Sequence, residues 1–322
     1  MGRNWLFITG VTLAAFLLTE VLLRLLFAPT SPLVPLVFVH GDKNCVRPRP
    51  DSAQTWYAAG IAGRPTTHSI NSLGIRSDLP DQRSGFSIAV LGGSDVYGVG
   101  IESDQTIAGI MQRLADQEFE PARVKVVNLG FCGFNLEEQL RELERLAPVF
   151  KPDMVVTVLD ATSFDPVLCA RRAMPVRNFL VDHVALAALI EDKILPRALL
   201  PGWAINRQVD SHELNRTARL IRKVVGQPPV FVKIDVPDLI PGRDGGLVSF
   251  DTPLQNEGAV VIDPTRSSRC PETKFSQTRS GDFLTADSAA SLAEIIWCEI
   301  TPMVSSAVGP LLQRGGAAGI PK

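Results

Sequence analysis

The chain has 322 residues, 45% hydrophobic and 20% charged, with a formal net charge of −2 at pH 7. That is a globular composition, long enough for one sizeable domain with additions or for two small ones. Near-neutral charge, with Arg171, Arg172, Arg219 and Arg222 scattered among acids, gives no footprint for nucleic acid.

The N-terminus departs from this at once. Residues 5–27, "WLFITGVTLAAFLLTEVLLRLLF", are almost wholly apolar and, as a helix, long enough for a bilayer core of roughly 30 Å. Arg3 precedes the run and no small-x-small cleavage site follows it, so residues 1–27 are expected to form a retained transmembrane signal anchor. A short tail ahead of an uncleaved signal usually stays inside, which puts the rest of the chain on the extracytoplasmic, periplasmic side. Residues 28–80 are rich in proline and polar residues without a sustained period, and read as a linker and irregular lead-in.

From residue 81 to about 304, apolar runs alternate with helical patterns. Residues 87–91, 124–128, 154–159, 230–234 and 259–263 are short, β-branched and apolar, the pattern of parallel strands buried on both faces. Helical periodicity covers 104–118, 135–150, 211–226 and 285–300. This alternation predicts an α/β fold, a three-layer α/β/α doubly wound sheet of about five parallel strands. Residues 165–210 are too long for a simple connection and read as an insertion; residues 305–322 read as a disordered tail. The five cysteines, Cys45, Cys132, Cys169, Cys270 and Cys298, form no CxxC and no metal spacing, so no metal or cofactor is expected. In an oxidising compartment one or two disulfides can form, leaving at least one thiol unpaired within the monomer.

In such a sheet ligands bind beyond the carboxyl ends of the strands, which directs attention to "AVLGGSDVYGVGIESD", residues 89–104. A phosphate loop needs a lysine after the second glycine of its spacing, and Val99 stands there; a dinucleotide fingerprint needs a third glycine where Ser103 stands. A strand ending in Gly-Gly-Ser instead suits a sharp turn that lifts Ser94 from the sheet edge as a nucleophile. Residues 70–77, "INSLGIRS", then 90–106, 126–140, 151–166 and 281–296 together resemble, in order, the lead-in and four sequence blocks of the SGNH/GDSL hydrolases, in particular the membrane-anchored bacterial members. The resemblance implies the flavodoxin-like SGNH hydrolase fold and places Ser94 at the nucleophile, Gly133 at the oxyanion-hole glycine, Thr162 at the oxyanion asparagine and Asp282 at the triad acid.

The departures bear on activity. Gly93 replaces the family aspartate, Thr162 the asparagine, and Phe283 and Leu284 follow Asp282 where a histidine belongs. A serine hydroxyl is a poor nucleophile without a base, and loss of a triad histidine lowers turnover by on the order of 10⁶. The chain has four histidines: His40 in the linker, His68 before the first block, His183 beside Asp182 in the insertion, and His212 at a helix start. Of these, His68, His183 and His212 are candidates for a relocated base. Asp160 and Asp165 are expected to cap loops, Asn135 to cap the helix after it, and Cys132 to pack a tight loop.

The expected function is therefore an SGNH/GDSL-like protein anchored through residues 5–27, keeping serine and oxyanion glycine but lacking the base. It would bind a cell-envelope polysaccharide or acylated ligand without efficient turnover. An active esterase or O-acetyltransferase with a relocated base, and a structural subunit of an envelope assembly, are the alternatives.

Overall fold

The computed structural model describes residues 2–27, 38–40, 46–48, 50–56, 66–78, 85–121, 123–131, 134–164, 211–234, 239–241, 247–267, 269–270, 273–275, 279–280 and 283–315. The expected insertion at 165–210 lies outside them. The first element is α1 (Gly2–Phe27), a single helix of 26 residues. Its side chains are described over 8–22, where Ile8, Val11, Leu13, Phe16, Leu17, Leu18, Val21 and Leu22 are exposed. Among the described residues no helix is long and apolar enough to cross a membrane.

The lead-in is more ordered than its sequence suggests. β1 (Phe38–His40) pairs antiparallel with β2 (Val46–Pro48), and β3 (Ser52–Trp56) with β4 (Thr66–Ile70). In β4 the inward positions are Thr66, His68 and Ile70, so two of its three core-facing side chains are polar and the strand shows no apolar alternation.

The main sheet follows. β5 (Phe86–Gly92) leads through α2 (Ser94–Tyr97) and α3 (Ile107–Glu118) to β6 (Val124–Gly130); α4 (Leu136–Phe150) leads to β7 (Met154–Leu159). After the undescribed segment come α5 (Ser211–Val225), β8 (Val230–Lys233), the antiparallel pair β9 (Leu239–Pro241) and β10 (Leu247–Ser249), α6 (Asp251–Asn256) and β11 (Val260–Ile262). A two-residue pair, β12 (Arg279–Ser280) and β13 (Phe283–Leu284), precedes α7 (Ala286–Gly315).

The five strands are all parallel, in the order β11-β8-β7-β5-β6. Counted along the chain this is the doubly wound order 2-1-3-4-5, whose direction of winding reverses between β5 and β7. Each strand feeds both faces with period two. Ile88 and Val90 of β5 pack with Ile107, Met111, Leu292 and Ile296 of α3 and α7. Ala89 and Leu91 pack with Leu140, Leu143, Leu214 and Ile221 of α4 and α5. The layers are therefore α/β/α, each fully buried leucine or isoleucine contributing about 1.5–3 kcal/mol.

Two details correct or complete the sequence reading. The last helix does not end near residue 300: Val304 and Val308 are buried at helical spacing, and α7 carries on to Gly315 through part of the expected disordered tail. Residues 316–322 lie outside the described set. The edge strand β6 is closed by side chains rather than by another strand. Gln112 of α3 accepts from Val126 N at 2.7 Å and donates to Val124 O at 3.0 Å, and Ser77 Oγ accepts from Asn128 N at 3.3 Å. That occupies an edge otherwise open to strand addition. Among the described residues, the disulfide Cys270–Cys298 ties the segment before β12 to α7.

Candidate active site

Gly92 and Gly130 serve the close approach of α2 to the strand ends. A Cβ on Gly92 would lie 2.3 Å from Val96 Cγ2, and one on Gly130 only 2.1 Å from Tyr97 N. Only residues without a Cβ let α2 settle across the ends of β5 and β6. Asn128, buried in β6, fastens it there, donating from Nδ2 to Val96 O at 3.0 Å while its Oδ1 accepts from Gly130 N at 2.8 Å. Gly98, left-handed at φ 78°, ends the helix, its N–H donating to Ser94 O. With four residues and an immediate left-handed stop, α2 lacks the long helix that a phosphate-binding loop opens into.

Behind the turn, Arg76 is 2% exposed. Its Nη1 donates to Tyr97 O at 2.9 Å and Gly98 O at 2.5 Å, and its Nη2 to Ile101 O at 2.6 Å. The guanidinium also lies over the Tyr97 ring, 5.4 Å from its centroid. Burial lowers its pKa to about 10 against the raising effects of Tyr97 and Glu102, so it stays charged at neutral pH. The 94–101 segment is thus clamped by carbonyls that accept from a single buried cation.

Ser94 opens α2, half-buried, at the carboxyl end of β5. Across the reversal point, Asp160 follows β7 and is buried; its Oδ1 accepts from Ser163 N at 2.8 Å and Ser163 Oγ at 2.9 Å. It caps the short 3-10 helix Ala161–Phe164, the loop-capping role expected of it. A Cβ built on Gly93 would meet Gln139 Nε2 and Phe134 O at 3.7 Å each and Asp160 Oδ2 at 3.8 Å.

The other expected site residues divide. Thr162 lies in the 3-10 helix beside Asp160, but its side chain is outside the described set, as are Cys132, Gly133, Asp165, His183 and Asp282. Asn135 caps α4 as expected: its Oδ1 accepts from Glu138 N at 2.9 Å, and Glu138 Oε2 accepts from Asn135 N at 3.0 Å, a capping box. Leu284 proves informative. Its backbone N–H donates to Asp95 Oδ1 at 3.2 Å, and its side chain is 3% exposed in the α3/α7 core. The chain position two beyond Asp282 is thus brought to the residue next to Ser94, and it carries a packed leucine.

The histidines do not supply a base among the described residues. His68 is fully buried, Nδ1 3.4 Å from Tyr97 Oη and Nε2 3.3 Å from Thr66 Oγ1. Burial, with the Arg76 charge, pushes its pKa down to about 3. A neutral imidazole with that affinity is a weak proton acceptor at pH 7, and its place is in the clamp behind the turn. His212 is the exposed second residue of α5. The described part of His40 is backbone in β1.

Sequence reasoning missed the His68–Arg76–Tyr97 clamp, Asn128, Gln139, and a cationic position farther along the same sheet edge. Lys233, buried at the end of β8, lies 3.2 Å from Asp251 Oδ1 and 3.5 Å from Asp263 Oδ2. Burial raises the Asp263 pKa, but bonds from Thr265 Oγ1 at 2.6 Å and N at 3.0 Å, with Lys233 and Arg266, outweigh it and hold the carboxyl below its ordinary value. The only sequence signal was a lysine ending an apolar strand. Among the described residues no group of three or more His, Cys, Asp or Glu side chains is arranged to hold a metal ion.

These features define a doubly wound α/β domain with a serine turn at its switch point. Solved structures to which the chain is similar include TesA, 16% identical, covering 67% of this chain and 99% of that one at a TM-score of 0.40. Others are the psychrotrophic esterase EstA from Pseudoalteromonas sp. (14% identity, 68% and 98% covered, TM-score 0.41) and the lipase/acylhydrolase from Enterococcus faecalis (14%, 68% and 96%, TM-score 0.39). No family model and no curated protein matches the chain. Strand order and register, rather than these likenesses, define its fold.

Proposed function

We propose that this chain is an SGNH/GDSL-hydrolase-like domain that keeps the serine turn but has lost the base, and that it binds an acylated cell-envelope glycan without efficient turnover. The observation that carries the reading is Leu284. The Leu284 N–H bond to Asp95 brings the segment after Asp282 to the residue beside Ser94, and the side chain there is a leucine packed into the core rather than an imidazole. Of the described histidines, His68 is buried behind the turn and His212 is exposed on α5, which supports the reading.

Residues 5–27 hold the domain at a membrane in this reading, on its extracytoplasmic side. An exposed apolar helix surface over 8–22 and the Cys270–Cys298 disulfide, a bond of oxidising compartments, both support that placement. The test uses the full chain in detergent and an O-acetylated xylo-oligosaccharide. Saturable binding that survives Ser94→Ala, with no acetate released by either protein, is the expected result. Acetate release that disappears in Ser94→Ala would instead establish an active esterase.

A further inference from the structure

Cations are spread unevenly over the helices that flank the sheet. α5 carries four, Arg216, Arg219, Arg222 and Lys223, against the single acid Glu213. Every other helix packed on the sheet carries more acids than cations, in a chain whose net charge is −2. Along the sequence these cations stand among acids, but on the helix they gather. His212, Arg216, Arg219 and Lys223 recur at the spacing of one helix face, Arg222 flanks it, and all five are exposed. The opposite face, with Leu214, Ala218 and Ile221, is buried against the sheet. Arg219 Nη1 meets Glu257 Oε1 at 3.1 Å, and Arg222 Nη2 donates to Gly258 O at 3.4 Å, both just beyond the end of α6. Among the described residues, Arg216 and Lys223 have no carboxylate partner. The result is a convex basic ridge about 16 Å long on a domain whose other helices are acidic.

That distribution gives the domain a direction. An anionic plane attracts the α5 ridge and repels α3 and α7, the acidic helices of the opposite layer. A convex face also suits an extended charged surface better than one small anion, which needs a concave site. We propose that the α5 ridge docks on anionic phospholipid headgroups of the membrane that residues 5–27 enter, and so sets how the domain lies on it. The proposal rests on the membrane-anchored reading given above. The anchor supplies the headgroups at high effective concentration, so a few cations are enough to orient the tethered domain. The attraction is between exposed charges, and salt screens it.

The full chain would be reconstituted into nanodiscs of phosphatidylcholine alone, or of phosphatidylcholine and phosphatidylglycerol in equal amounts. Uncharged reagents that acylate lysine and condense with arginine are applied at low salt, and labelling rates are read residue by residue by peptide mass spectrometry. Arg216 and Lys223 are expected to react on the order of tenfold more slowly in the phosphatidylglycerol discs, and the exposed Arg113 of α3 equally in both. High salt should remove the difference. Arg219→Gln with Arg222→Gln should remove it too, leaving Arg216 and Lys223 against Glu213 and Glu257; both substituted side chains are exposed, so an unchanged Tm checks the fold. Equal rates at Arg216 and Lys223 in the two discs, with the chain incorporated, overturn the docking and leave the anchor intact. Slowing that survives both high salt and the glutamine variant also overturns it. Slowing by soluble polygalacturonate but not by phosphatidylglycerol overturns the lipid assignment in favour of an anionic glycan. A chain that stays outside both kinds of disc overturns the anchored reading and the docking together.

Discussion

The Ser94 turn and the segment leading into α7 meet in one place, yet they were built by different rules. Around the turn, Gly92 and Gly130 admit α2, Asn128 pins it, and Arg76 clamps its far end through three carbonyls. Every one of these features positions Ser94. The last block reaches the same spot through the Leu284–Asp95 bond, but it delivers a leucine whose side chain turns into the core. In the proposed reading, the scaffold of a serine site persists without its proton acceptor, because position and reactivity reside in different residues, and it holds a ligand rather than cleaving it.

Substitutions can break either side of this comparison. Arg76→Ala should have the largest effect. It strips the buried carbonyls of Tyr97, Gly98 and Ile101 of their shared donor, and about 3–5 kcal/mol of stability should go, read from urea unfolding midpoints. Removing the Cys270–Cys298 bond by Cys270→Ser with Cys298→Ser acts on the other side. It releases a closed loop with a sequence separation of 28 that contains β12 and β13, and a loss of about 2–4 kcal/mol is expected in the same measurement. Asp95→Ala leaves Leu284 N–H buried without this acceptor and should cost about 1–3 kcal/mol, whereas Asp95→Asn, which keeps an acceptor oxygen, should recover most of it.

At neutral pH the smallest difference concerns His68, and a pH series sharpens its role. Its folded pKa of about 3 lies below the usual 6.5, so between those values the unfolded chain binds more protons. Stability from this group is complete above pH 6.5 and declines as pH falls toward 3, by at most about 1.4 kcal/mol per pH unit. His68→Gln should flatten that slope in a pH series of unfolding midpoints. An unchanged slope would remove His68 from the clamp.

Much of the fold was legible because its strands are apolar on both faces. The strands read at 87–91, 124–128, 154–159, 230–234 and 259–263 sit within two residues of those observed. The order of the strands was not legible, since winding direction is set by packing of helices on two faces and leaves no local pattern. β4 escaped notice because Thr66 and His68 occupy its inward positions. The end of α7 was not legible because Pro302 and Gly309 interrupt the local helical pattern, while Val304 and Val308 hold the helix to the core. Of the site, the place of Ser94 at a strand end and the capping roles of Asn135 and Asp160 were visible as residue types. Arg76, Asn128 and Gln139 were not, for each acts on a partner brought near only by the tertiary fold, as Arg76 does on Ile101 25 residues away.

The central claim is that Ser94 is held in place but not activated. It is tested most directly by hydrolysis of a short-chain aryl acetate with the full chain, comparing wild type and Ser94→Ala at equal folded concentration. The account predicts indistinguishable, negligible rates for the two. A wild-type rate well above that of Ser94→Ala would contradict it, and would mean that a base outside the described residues serves this serine.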